Sequence, residues 1–310
     1  MAITVCPVTA NFAAEIGDVD LSRPLASADV ASIKQAFWDY AVLIFPGQEL
    51  SEEQHLDFAR HFGPLETSIA ALNPDAKLRL SNKLADVSNL NSQNEIWGER
   101  SRVRMLQLAN RLWHTDSSFK YLPARASLLY ALAIPPVGGH TEFADLRAAY
   151  DALSDDLKRR LEGLVAEHAL AFSRARIGFS DFTEAERNKL PPVPQMMART
   201  LPENGRKSLY IASHAGRIVG MPEAEGRALI EQLIAHATQR QFVYTHRWRL
   251  HDLVMWDDRC TMHRGTEFDD LRWTRDVRRA TVSDLANTCE QQGIAVVRQT
   301  GDASASAQEY

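Results

Sequence analysis

The stretch Leu112-Trp113-His114-Thr115-Asp116-Ser117 predicts more about this chain than any other part of it. If the stretch is extended, His114 and Asp116 project from the same face of a strand, because successive side chains alternate between faces. An imidazole nitrogen and a carboxylate oxygen would then lie side by side, as two neighbouring metal ligands require. A second histidine would complete a triad that leaves other positions on Fe(II) open, and the best candidate is His263. The arrangement predicts a non-haem Fe(II) oxygenase.

A second triplet of the same kind, His55-Leu56-Asp57, shows that the pattern alone is weak evidence. It lies in a stretch that favours a helix, since Ser51 can cap the N-terminus and acidic residues follow in the first turn. Residues two apart on a helix point about 200° away from each other. We therefore expect His55 and Asp57 to be solvated polar positions that share no metal. Without further residues, His114 and Asp116 could equally be a polar pair on a surface strand.

Strand-like runs between residues 241 and 282 supply those further residues. They are an alternating run at 241–248, an apolar run at 253–256, a break at 257–259, a short run at 261–264 and a last run at 272–282. If the last run is extended, Arg275 and Arg279 share one face with Val277 and Thr281. Two guanidinium groups that face into a barrel are costly unless each meets an anion. A dicarboxylate co-substrate meets that need, because arginine binds carboxylate through a planar, charged fork.

Further motifs run along almost the whole chain: AVLIFPGQ at 41–48, FGPLE at 62–66, PVGGHTEFAD at 136–145, RAAYDAL at 147–153, WDDR at 256–259, HRG at 263–265 and RAT at 279–281. With these motifs the chain resembles the 2-oxoglutarate-dependent dioxygenases related to taurine dioxygenase and to the phenoxyacetate herbicide dioxygenases. The resemblance extends from roughly Val5 to Asp284, and the herbicide branch is the closer match. It implies a mainly β fold with helices: a distorted double-stranded β-helix, or jelly-roll (cupin-like) barrel, with helical insertions.

The resemblance also implies a role for each candidate site residue. The iron ligands would be His114, Asp116 and His263. The co-substrate would be held by Thr141 and Arg275 at its distal carboxylate, with Trp256 and Arg279 lining the same pocket. The candidates for binding the substrate are Asn110, Phe119, His214 and, again, Arg279. The implied cofactors are Fe(II), 2-oxoglutarate as co-substrate, and O2.

The substrate implied by the herbicide branch is a small anion of the aryloxyalkanoic acid class, hydroxylated with cleavage of its ether bond to a phenol. The loop over residues 67–104 would hold substrate contacts, and Trp97, Phe119, Tyr121 and Phe172 are available for an aromatic pocket. Two alternatives stay open: a taurine or alkylsulfonate dioxygenase, and a non-catalytic cupin-like barrel that binds a metal or a small acid. Asp258 stands where the family usually has Asn, which should matter for local hydrogen bonding more than for chemistry.

Composition sets the remaining expectations. With 310 residues and 45% hydrophobic content, the chain can form one large domain, predicted over 1–288, followed by a frayed tail over 289–310. A net charge of −5 argues against a nucleic-acid-binding surface. No apolar stretch approaches the 18 residues of a membrane span. Three cysteines, an odd number without a disulfide pattern, favour the cytoplasm. We expect a homo-oligomer without a nucleic-acid or membrane partner.

Local patterns predict several elements around the barrel. Helices are expected over 27–40, 146–169 and 222–238, and a buried strand over 42–45. The polar segment 72–104 lacks periodicity and is expected to be a mobile loop near the mouth of the active site.

Overall fold

The computed structural model describes residues 3–72 and 77–295. Within them, the strands are β1 Thr4–Pro7, β2 Ala13–Gly17, β3 Val42–Phe45, β4 Leu84–Asp86, β5 Ala124–Ala133, β6 Thr141–Asp145, β7 Val165–His168, β8 Val193–Met196, β9 Ala198–Thr200, β10 Lys207–Leu209, β11 Ala215–Ile218, β12 Val243–His246, β13 Leu253–Asp257, β14 Thr261–Gly265 and β15 Asp276–Ser283. The α-helices are α1 Ser27–Tyr40, α2 Glu52–Arg60, α3 Arg102–Gln107, α4 Leu146–Asp151, α5 Asp155–Leu161, α6 Leu170–Ala175, α7 Glu184–Lys189, α8 Glu223–Ala237 and α9 Thr288–Gln291.

One large sheet and one smaller sheet face each other across a buried core. The large sheet has the strand order β1-β2-β3-β13-β5-β15-β4, and the smaller sheet has the order β12-β6-β14. The rings of Trp256 on β13 and Phe143 on β6 lie 5.4 Å apart, so side chains of the two sheets meet. Two further small sheets have the orders β11-β7-β8 and β10-β9. The facing sheets agree with the predicted jelly-roll architecture.

The predicted break at 257–259 is the turn by which the chain passes from the large sheet to the smaller one. Strand β13 pairs with β3 and β5, whereas β14 pairs with β6. The buried Arg259 holds the turn, because its guanidinium contacts Asp257 at 2.7 Å and Glu203 at 2.8 Å. The turn therefore places Trp256 and His263 on opposite sheets with their rings 4.6 Å apart.

The helices predicted over 27–40 and 222–238 are present as α1 and α8, and strand β3 has the predicted bounds 42–45. Helix α2 begins at a capping box formed by Ser51 and Gln54, as the sequence indicated. The prediction that His55 is solvated is wrong, because this side chain is buried and its Nε2 lies 3.2 Å from the Leu128 carbonyl. Asp57, two residues further along the same helix, is exposed, as expected.

A continuous helix over 146–169 is not formed. Helix α4 ends at Asp151, and Ser154 caps a separate helix, α5, by accepting a hydrogen bond from the Leu157 amide. Gly163 then takes a left-handed conformation with φ +72°, which stops the helix. The last residues, 165–168, form β7, in which half-buried and buried positions alternate. The prediction of one helix over this segment is therefore wrong, because the segment forms two short helices and a strand.

The segment over 72–104 contains more structure than predicted. Residues 73–76 lie outside the described residues, and β4 adds a strand beside β15 at the edge of the large sheet. Arg79 fastens the segment by contacting Asp86 at 2.8 Å and Asp276 at 2.6 Å. The predicted position near the mouth of the site is right, since Asn89 and Trp97 line its cavity.

The predicted boundary at residue 288 falls inside α9. Cys289 is buried, and Asn287 caps the helix by accepting from the Cys289 amide. Packed structure therefore extends at least to Gln291, while the rest of the predicted tail, from residue 296, lies outside the described residues. In the described parts of the chain, no helix combines the length and apolar character needed to cross a membrane.

Candidate metal centre

Three buried side chains converge at one end of the barrel. His114 forms a single β-bridge with His263 on β14, through amide-to-carbonyl hydrogen bonds of 3.0 and 2.8 Å. Asp116 lies beside both rings, with its Oδ1 4.0 Å from Nε2 of His114 and its Oδ2 3.7 Å from Nε2 of His263. One nitrogen or oxygen of each residue lies within 4.8 Å of the other two, as the ligands of one metal ion must.

Sequence reasoning found these residues but assigned them the wrong local structure. His114 is a lone bridge residue, and the chain turns from Asp116 onward, with Ser117 at a positive φ of 51°. The turn, rather than alternation along a strand, brings the carboxylate beside the imidazole. His55 and Asp57, on α2, are not among the residues that converge there.

The two histidines have the protonation state that binding to a divalent metal requires. Nδ1 of His114 lies 2.7 Å from the Leu112 carbonyl, which can only accept, so this nitrogen carries the hydrogen and Nε2 presents its lone pair. Burial lowers the pKa of His114, and burial is also the main cause that lowers the pKa of His263 well below its ordinary value. Both rings are therefore neutral at pH 7. Nδ1 of His263 is buried and has no hydrogen-bond partner among the described residues.

Asp116 is the charged member of the centre. Burial alone would raise its pKa, but the charge of Arg279, helped by the hydrogen bond from Ser127, lowers it. Arg279 contacts Oδ1, and Ser127 donates to Oδ2 at 2.8 Å. The carboxylate is therefore ionised and held in place before any metal binds.

Asp258 holds the backbone of Asp116 by a hydrogen bond. Its Oδ1 accepts hydrogen bonds from the Asp116 amide at 3.1 Å and from Nε1 of Trp256 at 3.0 Å. Its Oδ2 is buried and has no partner among the described residues. Burial and the neighbouring charge of Asp116 raise the pKa of Asp258 well above its ordinary value. The expectation that Asp258 acts through local hydrogen bonding agrees with these contacts.

A cavity of about 100 Å³ opens beside the three side chains. Its wall includes the predicted co-substrate residues and one predicted substrate residue: Asn110, Thr141, Trp256, Arg275 and Arg279. The remaining substrate candidates, Phe119 and His214, are absent from the described lining. They lie behind His114, since the ring of His214 is 6.0 Å from that of His114 and 4.8 Å from that of Phe119.

Of the four aromatic residues predicted to build a substrate pocket, Trp97 lines this cavity. The hydroxyl of Tyr121 instead donates to Glu290. Phe172 covers Gly216 in a separate surface groove. The idea of one pocket built from all four rings is therefore wrong.

Arg275 is the most deeply buried cation in the wall of the cavity. Its Nε donates to the Gly139 carbonyl at 3.1 Å, and no carboxylate lies within 4.0 Å of it among the described residues. Burial lowers its pKa to about 10. Gly139 has a positive φ of 65°, and a Cβ there would lie 2.6 Å from Pro135, so only glycine fits beside this arginine.

Asn89 is a cavity residue that the sequence did not single out. Its side chain accepts from the Arg275 amide at 2.8 Å and donates to the carbonyls of Asp270 at 2.7 Å and Trp273 at 2.9 Å. It therefore clamps the backbone that carries Arg275. One asparagine in a polar segment gives no periodic or spacing signal by which this role could have been found.

The comparisons with known proteins agree with this geometry. The family model described as "Taurine catabolism dioxygenase TauD, TfdA family" matches residues 4–281. The "Alpha-ketoglutarate-dependent 2,4-dichlorophenoxyacetate dioxygenase" of Cupriavidus pinatubonensis is 46% identical over 286 residues, which cover 92% of this chain and 99% of that protein. The "(S)-phenoxypropionate/alpha-ketoglutarate-dioxygenase" of Sphingobium herbicidovorans is 38% identical over 279 residues, covering 86% and 91%.

A solved structure described as "AAD-2 in complex with Mn(II) and N-oxalylglycine" superposes with a TM-score of 0.85 at 42% identity. The match covers 96% of this chain and 100% of that one. The match therefore extends over the whole barrel.

Proposed function

Because this chain belongs to the taurine catabolism dioxygenase TauD, TfdA family, we propose that it is an Fe(II)- and 2-oxoglutarate-dependent dioxygenase that hydroxylates an aryloxyalkanoic acid. The observation that carries the proposal is the convergence of His114, Asp116 and His263 beside a cavity whose wall holds the unpaired Arg275. Two neutral imidazoles and one carboxylate are the ligand set of non-haem iron oxygenases, and the arginine supplies a site for a dicarboxylate.

His114 and His263 would bind Fe(II) through Nε2, with Asp116 as the anionic ligand. The bound iron supplies the activation of O2, which is coupled to oxidative decarboxylation of 2-oxoglutarate to succinate and CO2. Arg275 and Thr141 would hold the distal carboxylate of the co-substrate. Trp256 is fully buried on the same wall, where its ring would exclude water from the reacting groups.

The proposed substrate class rests on the relatives and on the charges at the site. The descriptions of the two relatives name 2,4-dichlorophenoxyacetate and (S)-phenoxypropionate. Hydroxylation of the carbon between the ether oxygen and the carboxylate gives a hemiacetal or hemiketal, which collapses to a phenol and an oxo acid. For phenoxyacetate, the balanced reaction consumes 2-oxoglutarate and O2 and yields phenol, glyoxylate, succinate and CO2. Arg279, with Asn110 across the cavity, would face the anionic end of the substrate.

We also propose a cytoplasmic location and a homo-oligomer without nucleic-acid or membrane partners. The three cysteines, all in described parts of the chain, are unpaired, which suits a reducing compartment. The net charge of −5 is unfavourable for binding nucleic acid. The oligomer would be tested by measuring the mass in solution.

A substrate screen tests the function directly. Succinate release and phenol release should be measured with Fe(II), ascorbate and 2-oxoglutarate against phenoxyacetate, both enantiomers of 2-phenoxypropionate, and taurine. We expect an aryloxy acid to stimulate succinate release strongly with equimolar phenol, and taurine to stimulate it weakly. Tight coupling to taurine, with no phenol from any aryloxy acid, would replace the proposed substrate class with an alkylsulfonate.

A further inference from the structure

The hydroxyl of Thr141 lies between the cavity beside the metal centre and the apolar core. Thr141 is on β6, lines that cavity and is 3% exposed. Its neighbours across the sheet are Gly265 on β14, which has no side chain, and His246, the last residue of β12. The side chain that reaches the hydroxyl comes from two residues beyond the end of β12, where Nε1 of Trp248 donates to Oγ1 of Thr141 at 3.0 Å. This bond joins the core to the wall of the cavity.

The direction of the hydrogen bond decides where the hydroxyl hydrogen of Thr141 can go. An indole N–H can only donate, so it occupies a lone pair of Oγ1 and leaves the hydroxyl hydrogen free to be donated elsewhere. Among the described residues no acceptor takes that hydrogen. Because Thr141 lines the cavity, an acceptor that enters the cavity can take it. An ionised carboxylate is such a ligand, since its oxygens can only accept.

Trp248 is held in place by buried neighbours. It is 8% exposed and belongs to the same apolar core as Phe12. Its ring meets that of His246 edge-on, with 4.6 Å between the two centroids and 87° between the two planes. Nε2 of His246 in turn lies 3.1 Å from Oδ2 of the fully buried Asp252. The donor is therefore in position before a ligand enters, which lowers the cost of binding that ligand.

Resting on the proposed function, we propose that Trp248 is a positioning residue for the co-substrate, because it fixes the Thr141 hydroxyl so that its hydrogen faces the distal carboxylate of 2-oxoglutarate. Arg275 would supply charge to this carboxylate, whereas Thr141 and Trp248 supply one hydrogen bond of fixed direction. Donation to the carboxylate also strengthens the bond from Trp248 to Thr141, because hydrogen bonds in a chain polarise one another. The role concerns the far end of the co-substrate alone, so an analogue without a distal carboxylate should bind independently of Trp248.

The test measures by calorimetry how the Mn(II)-loaded protein binds 2-oxoglutarate and 2-oxopentanoate, in which a methyl group replaces the distal carboxylate. Trp248→Phe should weaken 2-oxoglutarate binding about three- to tenfold, as expected for one neutral hydrogen bond, and leave 2-oxopentanoate binding unchanged. Thr141→Val should weaken 2-oxoglutarate binding about ten- to a hundredfold, because it removes the charge-assisted bond itself. Phe12→Leu is the matched control, since it shrinks an aromatic side chain of the same core and leaves the hydrogen bond intact. It should not change the ratio of the two affinities.

A double-mutant cycle separates positioning from packing. In the Thr141→Val background, Trp248→Phe should cause no further loss of 2-oxoglutarate affinity. In the Thr141→Ser background, which keeps a hydroxyl, the loss should reappear. The proposal is overturned if the loss in Trp248→Phe is equal for the two acids, adds to that of Thr141→Val, or is matched by Phe12→Leu.

Trp248→3-benzothienylalanine guards against misfolding of Trp248→Phe, because sulfur replaces the N–H group in a ring of the same shape. The same loss is expected, and an unchanged preference for 2-oxoglutarate over 2-oxopentanoate overturns the role of Trp248. Failure of the proposed function looks different, because the Mn(II)-loaded wild type would then bind no 2-oxoglutarate, which overturns both proposals. Tight binding by the wild type that Trp248→Phe and Trp248→3-benzothienylalanine retain in full overturns the role of Trp248 alone.

Discussion

Replacing Arg275 by Gln should weaken 2-oxoglutarate binding and at the same time stabilise the protein without ligands. Arg275 is only 8% exposed, and its side chain donates to the Gly139 carbonyl without meeting an acid among the described residues. Glutamine can keep a neutral hydrogen bond to that carbonyl. The substitution therefore removes an unpaired buried charge from the free protein and an ion pair from the complex.

The expected magnitudes follow from the burial of the charge. Burial lowers the pKa of Arg275 from its ordinary value to about 10. At about 1.36 kcal/mol per tenfold change in the ionisation equilibrium, the charged form costs the folded protein about 3 kcal/mol at any pH below 10. The free energy of unfolding should thus rise by up to that amount in Arg275→Gln. A charge-assisted bidentate contact is worth about 1.5–3 kcal/mol, so KM for 2-oxoglutarate should rise ten- to a hundredfold.

The assay is urea unfolding of the metal-free protein, together with KM for 2-oxoglutarate from succinate release. Arg278→Gln is the matched control, because Arg278 lies on β15, three residues after Arg275, and contacts Glu52 at 3.3 Å. The control should leave KM unchanged. If Arg275→Gln leaves KM unchanged, or if Arg278→Gln carries the increase, Arg275 is not the anchor and the argument from its unpaired charge fails.

Two further predictions concern the metal centre. Equilibrium dialysis should show that His114→Ala, Asp116→Ala and His263→Ala each lose most Mn(II) or Fe(II) binding. Each variant should still unfold cooperatively, because the core between the sheets is apolar. Metal retention by any of them, or metal loss in His55→Ala, would contradict the assignment. Asp258→Asn should change the pH dependence of stability in the metal-free protein, since the pKa of Asp258 is raised in the folded state. A carboxyl whose pKa is raised by folding stabilises the folded protein, and this stabilisation is complete at pH values below the pKa of 3.8 in the unfolded chain. The stabilisation is lost as the pH rises through the pKa of the folded protein. Unfolding measured from pH 4 to 8 should therefore show a loss of stability in the wild type that Asp258→Asn lacks, and identical profiles would show that Asp258 is ionised.

Much of the site could be predicted because its chemistry fixes residue types that are rare in a barrel core. Arg275 and Arg279, four residues apart in one strand-like run, were each expected to need an anion whatever the details of the fold. Both residues do line the cavity. The triad itself was found although its local structure was misjudged, since a turn at Ser117 performs the task that was assigned to strand alternation. Residue identity constrained the ligand set more strongly than it constrained the backbone.

Residues that act through tertiary contacts could not be predicted in this way. His55 looked solvated because helix periodicity does not say which polar side chain meets a buried carbonyl from a strand 73 residues away. Asn89 clamps the backbone of Arg275, which lies 186 residues further along the chain. Each of these roles depends on what lies opposite the residue in space.

Asp258 shows why a departure from a family pattern needs its surroundings before it can be interpreted. An ionised carboxylate in place of an amide beside an iron ligand would repel Asp116 and weaken the centre. In the structure the side chain is fully buried, and its Oδ1 accepts from the Asp116 amide and from Trp256, as an amide oxygen would. Burial and the charge of Asp116 raise its pKa well above the ordinary value, so in the metal-free protein the group keeps its proton to a higher pH than an exposed carboxyl, and while protonated it is neutral like the amide it replaces. The same two causes that would make an ionised Asp258 damaging are the ones that keep it from ionising.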